Sequence, residues 1–185
     1  MKASTKDILI PTLSLFLICL VVTALLAVTN HKTAPLIAEI SAQNEAEQRK
    51  VVLPAAETFE QVTGHDNAFA GYTPDGTLCG FVFTEKEKGY GGEITVMVGI
   101  DTAANVTGVS ILEHGETPGL GANVTKDKFL EQYKQNMTGE LSVTKDGGTI
   151  DAVTGATISS RAVTRAVNAA YADYKAIISE GGMAA

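Results

Sequence analysis

The sequence predicts an α+β chain, with one N-terminal transmembrane helix followed by a single domain that has a largely antiparallel sheet and flanking helices. Three observations carry that expectation. Ile8 to Val28 contains no charged residue, and a run of that length crosses a hydrocarbon core as a helix. Leu78–Thr84, Ile94–Ile100 and Val106–Leu112 are apolar, β-branched segments separated by short glycine-, asparagine- and aspartate-containing connections, the pattern of a strand meander. From Arg161 onward, Val163, Val167, Ala170, Tyr174 and Ile177 or Ile178 recur every three or four residues. A helix therefore opens near Ser159 or Ser160 and stops before Gly181 and Gly182.

Residues 1–7 form the tail before the span and residues 8–28 the span itself. A cleavable signal peptide has a shorter apolar region ending at a small-x-small site, and this run is too long for that. Lipoprotein processing at Cys19 is disfavoured by Ile18, which stands where a small residue is needed. Pro11 lies near the start of the span, where a missing N–H is tolerated. Lys2 and Lys6 precede the span and only Lys32 follows closely, so the positive-inside rule places the N-terminus in the cytoplasm and everything from Thr29 outside it, on a single-pass protein of the cell membrane. Cys19, expected in the bilayer, cannot pair with Cys79, which reads as a core residue.

Residues 29–53 read as a juxtamembrane helix or stalk, with Leu36, Ile37 and Ile40 on successive turns of a helix from Pro35 to about Leu53. It is either a free stalk or packed on the domain at its first turns only. Residues 54–185 form the domain. Gly71 to Thr77 punctuates two short extended segments, and the strands Leu78–Thr84 and Ile94–Ile100 are joined through Lys88-Gly89-Tyr90-Gly91-Gly92. After Thr125 as a cap, Lys126–Gln135 is a short helix. Glu140–Thr144 and Thr149–Val153 are extended about a turn at Asp146-Gly147-Gly148.

The net charge of −7 argues against nucleic acid as a partner and against a basic patch on anionic lipid. The sequence contains no Walker A loop, no Gly-x-Ser-x-Gly elbow, no His-Glu-x-x-His and no Cys-x-x-Cys, and Gly119-Leu120-Gly121-Ala122 does not complete a dinucleotide fingerprint. His31, His65 and His114 are isolated, so no metal site and no catalytic residue are assigned.

Three segments carry chemistry. Asp151-Ala152-Val153-Thr154-Gly155-Ala156-Thr157-Ile158-Ser159-Ser160 places a threonine hydroxyl just ahead of the last helix, where free N–H groups and the helix dipole favour an anion. On local chemistry alone Thr157, Ser159 and Ser160 are N-cap candidates. Gly89-Tyr90-Gly91-Gly92 is a flexible loop by composition, with glycines that let backbone approach a planar ligand and Tyr90 able to stack on it. Glu116-Thr117-Pro118-Gly119-Leu120-Gly121 suits a type II turn centred on Pro118 and Gly119.

Asp-x-x-Thr-Gly-Ala-Thr followed by x-Ser-Ser resembles the flavinylation motif of the FMN-binding domain family. That resemblance implies FMN held covalently by a phosphoester to Thr157, with Asp151, Thr154, Gly155, Ala156 and Thr157 recognised by a separate, magnesium-dependent flavin transferase. An aliphatic hydroxyl needs a base or a metal to attack, and the sequence shows neither nearby, which favours outside help. The Glu-Thr-Pro-Gly-Leu-Gly run resembles the family loop that lies against the flavin, so Glu116, Thr117, Leu120, Gly121 and Tyr90 are expected at the cofactor, with Thr154, Gly155, Ala156, Ser159 and Ser160.

Anchor, length and order of motifs are together similar to the G-subunit family of Rnf electron-transport complexes, ferredoxin:NAD oxidoreductases that translocate sodium or protons. This implies an electron-transfer subunit with other membrane and ferredoxin-like subunits as partners, unable to catalyse the overall reaction alone. The C-subunit family of the sodium-translocating NADH:quinone oxidoreductase shares the anchor and motif but is typically longer. A non-redox membrane-anchored binding or assembly domain is the alternative from a different class.

Overall fold

The computed structural model describes residues 5–134, 137 and 139–181; Lys2, Gln135 and Gly182, named above, lie outside the described residues. The first helix, α1, runs Thr5–Val52 without a break and contains Pro11 and Pro35. The sequence reading divides this stretch at Thr29. Its N-terminal part is long and apolar enough to cross a membrane, and none of that apolar window is buried by protein. The chain divides into two compact units, 1–43 and 44–185.

The second unit, which includes the last turns of α1, is built on a sheet of strands β1 (Thr58–Gln61), β2 (Ala68–Tyr72), β3 (Leu78–Lys88), β4 (Glu93–Asp101) and β5 (Val106–His114). The strands pair in chain order, each antiparallel to the next. The expected meander forms, and β3 and β5 extend beyond Thr84 and Leu112 because Lys86, Glu87, Lys88 and Glu113 continue the ladder as polar positions. Short connections impose this order, since antiparallel neighbours need only a tight turn.

Strand β4 is buried on both faces, and its alternation explains why. Ile94, Val96, Val98 and Ile100 point into the larger core, under the C-terminal helix α3 (Thr157–Ser179), with Phe81, Phe83, Val163, Val167, Ala170 and Tyr174. Met97 points the other way and packs with Val82, Val52, Leu53 and Ala56. Side chains alternate with a period of two, so a helix on one face and the end of α1 on the other bury both sets. Burying each large apolar side chain contributes about 1.5–3 kcal/mol.

Two glycines admit the end of α1. Gly99 and Gly108 are paired across β4 and β5, and a Cβ on either would run into the backbone of Val52. The Thr107 hydroxyl donates to the Val52 carbonyl, and the Ser110 hydroxyl meets Gln48 Oε1 at 2.6 Å. Cys79, read from sequence as core, is partly buried at the edge of this smaller cluster, and its thiol is 3.2 Å from the Gly71 carbonyl.

The segment expected as a helix over Lys126–Gln135 is instead a chain of short turns: a 3-10 turn at Gly121–Thr125, helix α2 at Asp127–Leu130 and a second 3-10 turn at Glu131–Tyr133. Thr125 does not cap; its hydroxyl donates to the Ala122 carbonyl. From Lys126 to Lys134 the buried residues are Phe129, Leu130 and Tyr133, enough apolar surface for little more than one turn. Glu140–Thr144 and Thr149–Val153 do not form strands; only Val143 and Ile150 make a single parallel bridge, around a 3-10 turn at Thr144–Asp146 closed by Gly147 at φ 85°.

One polar cluster on this scaffold is pH-sensitive. Asn67 Nδ2 donates to Glu85 Oε1 at 2.7 Å and to Asp173 Oδ2 at 2.8 Å, bringing two carboxyl groups to one amide. Burial, reinforced by the Asp173 and Glu87 carboxylates, pushes the Glu85 carboxyl from 4.5 up to about 7. The fold thus favours the protonated acid. Its contribution is complete below the unfolded value and is lost as pH rises through about 7. We expect Tm to fall between about pH 5 and about pH 8 and Glu85→Gln to flatten that decline. An equal slope in the variant contradicts the assignment.

Candidate functional site

The segment around Thr157 is shaped by a turn and a serine. Ala156 N–H donates to the Val153 carbonyl at 2.9 Å, and Gly155 within this turn has φ 78°, a conformation that favours glycine. A Cβ on Gly155 would also lie 2.9 Å from Leu120 Cδ1. The Ser160 hydroxyl then closes the corner, accepting from Val153 N–H and donating to the Ala156 carbonyl, each at 2.9 Å.

In consequence α3 opens at Thr157, with Ala156 in the capping position and no side-chain cap, two or three residues earlier than the apolar periodicity indicates. Thr157 is the first helical residue, and Ser159 and Ser160 lie inside the first turn. None of these hydroxyls caps the helix. The periodicity misplaces the start because Thr157 and Ile158 are off the buried stripe; Ile158 is 49% exposed.

Glu116 ties the three motif segments together. It is only 5% exposed. Its Oε1 accepts from the N–H groups of Tyr90 at 2.7 Å and Gly91 at 3.1 Å, and its Oε2 accepts from the Ser159 hydroxyl at 2.7 Å. The carboxylate keeps this position only beside glycine, because a Cβ at Gly89 or Gly121 would displace its oxygens. Burial alone would raise the Glu116 carboxyl. The Ser159 hydroxyl, the Gly91 and Tyr90 N–H groups and nearby His114 outweigh it and hold the group below the usual glutamate value.

The expected turn at Pro118–Gly119 forms, with Leu120 N–H donating to the Thr117 carbonyl and Gly119 at φ 76°. It brings Leu120 over Gly155. The result is a cleft of about 370 Å³ lined by Tyr90, Glu116, Thr117, Leu120, Gly121, Gly155, Ala156, Thr157, Ile158 and Ser159. That volume is in the range of small-molecule sites. Tyr90, Leu120 and Ile158 are 72%, 44% and 49% exposed, an apolar rim of the kind a flat aromatic ligand covers.

Of the residues expected at the site, Tyr90, Glu116, Thr117, Leu120, Gly121, Gly155, Ala156, Thr157 and Ser159 meet at this cleft. Ser160 does not line it; it is buried, and its hydroxyl serves the turn. Asp151 and Thr154 line a second cleft of about 580 Å³, with Lys126, Lys128, Phe129 and Gln132 among its other residues. There the Gln132 amide clamps the Asp151 backbone, accepting from its N–H at 2.7 Å and donating to its carbonyl at 3.2 Å. Among the described residues no group of His, Cys, Asp and Glu side chains converges as a metal site.

Two site residues escape the sequence reading. Ile158 was legible in principle as an apolar residue off the helix stripe. Lys145 was not: its Nζ donates to Thr157 Oγ1 at 2.8 Å from a separate turn, and nothing local to Lys145 indicates that neighbour.

The chain matches the model of the FMN-binding domain over residues 89–172, the stretch that contains every residue of the first cleft. It is 34% identical to the G subunit of the ion-translocating oxidoreductase complex of Methanosarcina acetivorans, covering 91% of this chain and 95% of the relative. It is 35% identical to the G subunit of the proton-translocating ferredoxin:NAD(+) oxidoreductase complex of Clostridium ljungdahlii, covering 86% and 87%. The G subunit of the Na(+)-translocating ferredoxin:NAD(+) oxidoreductase complex of Acetobacterium woodii is 36% identical over 84% of this chain and 86% of its own length.

Proposed function

This chain belongs to the G-subunit family of ion-translocating oxidoreductase complexes and carries an FMN-binding domain, and from that premise we propose that it is a membrane-anchored electron carrier whose FMN is esterified through phosphate to Thr157. The observation that carries the reading is the position of that hydroxyl. Thr157 is the first residue of α3, on the wall of a cleft whose rim is exposed Tyr90, Leu120 and Ile158. A phosphate at Thr157 and an apolar ring over the rim fit the two ends of one flavin nucleotide.

FMN, when bound, supplies one- and two-electron redox chemistry. The chain supplies position and surroundings. Thr157 tethers, Tyr90, Leu120 and Ile158 cover apolar surface, and Glu116 holds the Tyr90 loop and the start of α3 in register by its hydrogen bonds to both. The small Gly155 and Ala156 leave the hydroxyl accessible. Lys145 donates to the Thr157 hydroxyl rather than accepting from it, in keeping with loading by a separate flavin transferase. Asp151, Thr154 and Gly155 are at least partly exposed and available to such an enzyme.

The further reading places the N-terminus in the cytoplasm, α1 in the cell membrane and the flavin domain on the far side. There the carrier exchanges electrons with other membrane and ferredoxin-like subunits of a ferredoxin:NAD oxidoreductase. A tether suits that location, because a dissociated flavin would be lost by dilution. The test is peptide mass analysis after coexpression with an active transferase. We expect the peptide Asp146 to Arg161 to carry FMN on Thr157. An unmodified peptide, with the transferase shown active on a control substrate, sinks the proposal.

A further inference from the structure

We infer that Lys145 is the counter-charge of the phosphodiester at Thr157, pairing with the anion that esterification leaves there. The inference rests on the covalent-FMN reading above and adds a residue to it. Lys145 Nζ donates to Thr157 Oγ1 at 2.8 Å, so its ammonium already stands beside the atom to which phosphorus is bonded.

The turn that carries Lys145 is fixed from both sides. Val143 and Ile150 are each 1% exposed and hold its ends in the core, and Thr144 N–H donates to the Ile150 carbonyl at 2.8 Å. Next to Lys145, Asp146 accepts two bonds from Arg161, Nε at 2.7 Å and Nη2 at 2.5 Å. Arg161 lies one turn into α3, so this fork ties the Lys145 turn to the helix that begins at Thr157. Paired planar groups of this kind fix geometry as well as distance.

The neighbouring cations are committed elsewhere. Arg161 is held by Asp146, and Arg165 by Glu87 at 2.8 Å and the Lys88 carbonyl at 3.0 Å. Among the described residues Lys145 forms no ion pair with a carboxylate, and the partner of its ammonium is an uncharged hydroxyl. A full positive charge against a neutral oxygen is the arrangement that gains most when that oxygen acquires an anionic phosphate. Lysine suits the task, since its flexible stem and three donors follow an anion without demanding a planar partner.

The experiment uses the full-length chain coexpressed with a flavin transferase, as wild type, Lys145→Met and Lys145→Arg. Three quantities are compared: flavin occupancy by intact mass, anisotropy of flavin fluorescence, and the phosphorus NMR resonance of the phosphodiester at low and high salt. In wild type and Lys145→Arg the resonance is expected to move as salt screens the exposed pair. In Lys145→Met the salt-dependent shift is lost and anisotropy falls, with the circular dichroism unchanged. A folded Lys145→Met chain that is not loaded, beside a fully loaded Lys145→Arg chain, supports the same pairing at the loading step. Wild-type occupancy, anisotropy and salt response in Lys145→Met overturn the inference. Absence of FMN from wild type instead strikes the covalent reading beneath it.

Discussion

Replacing Thr157 by alanine is expected to abolish flavin retention through denaturing electrophoresis, so that an in-gel fluorescent band present in wild type disappears altogether. The effect is all or none because a phosphoester is covalent, whereas the remaining contacts at the cleft are reversible and do not survive denaturant. Alanine removes only the hydroxyl and γ-methyl from the first residue of a helix that has no side-chain cap, and alanine is the best helix former. The fold is therefore expected to persist, with a stability within about 1 kcal/mol of wild type. Lys145 loses its hydroxyl acceptor, a change at an exposed site. A fluorescent band of wild-type intensity in Thr157→Ala shows that the covalent link is at another residue. The same protein, purified natively, reports how much FMN the cleft holds without the bond.

Truncating Glu116 is expected to be the most destabilising single change at the site. Glu116→Ala removes the acceptor of three donors, two backbone N–H groups and the buried Ser159 hydroxyl. It also opens space between Gly89 and Gly121, whose missing Cβ atoms leave room for this side chain. Leaving buried donors without partners costs about 1–3 kcal/mol each. Because Tyr90 is exposed and its N–H can find water, we expect a total of about 2–3 kcal/mol, or roughly 5–10 °C in Tm for a domain of this size.

Glu116→Gln keeps the volume but presents one amide nitrogen where an acceptor is needed, so an intermediate loss is expected. Flavin anisotropy should fall in both variants, since the Tyr90 loop and the start of α3 are no longer tied. Acid titration gives a separate check. The folded-state value of Glu116 is held down, so its contribution is present above the ordinary glutamate value and is lost as pH falls through the lower folded value. Wild type should lose this increment in acid and Glu116→Gln should not. A Glu116→Ala protein with unchanged Tm and unchanged flavin anisotropy shows that the carboxylate does not organise the cleft.

Thr157 and Glu116 differ in how far the sequence alone reveals them. Thr157 stands out in the linear sequence, because Asp-x-x-Thr-Gly-Ala-Thr is a contiguous string whose resemblance to a flavinylation motif singles out one hydroxyl. The Glu-Thr-Pro-Gly-Leu-Gly run draws attention to Glu116, which lines the cleft, but the hydrogen bonds of its carboxylate are not legible there. The run indicates proximity to a ligand, whereas the structure shows a carboxylate with its bonds directed to protein donors on two other segments.

By itself the sequence determined the apolar N-terminal run, the antiparallel meander, the C-terminal helix with its buried stripe, and the turn at Pro118 and Gly119. Each of these is written locally, in the period of apolar residues or in the need for positive φ, and so survives being read without the fold. Only the tertiary structure decided that α3 starts at Thr157, because the Ser160 hydroxyl and the Val153–Ala156 turn override the apolar period there. It alone divided the motif between two clefts, Asp151 and Thr154 on one and Gly155 to Thr157 on the other. It alone brought Lys145 to Thr157 and Ser159 to Glu116, 12 and 43 residues apart in the chain. Hydrogen bonds are directional and short, so which donor meets which acceptor across such separations depends on how sheet, turn and helix close on one another, and no periodicity in the sequence records it.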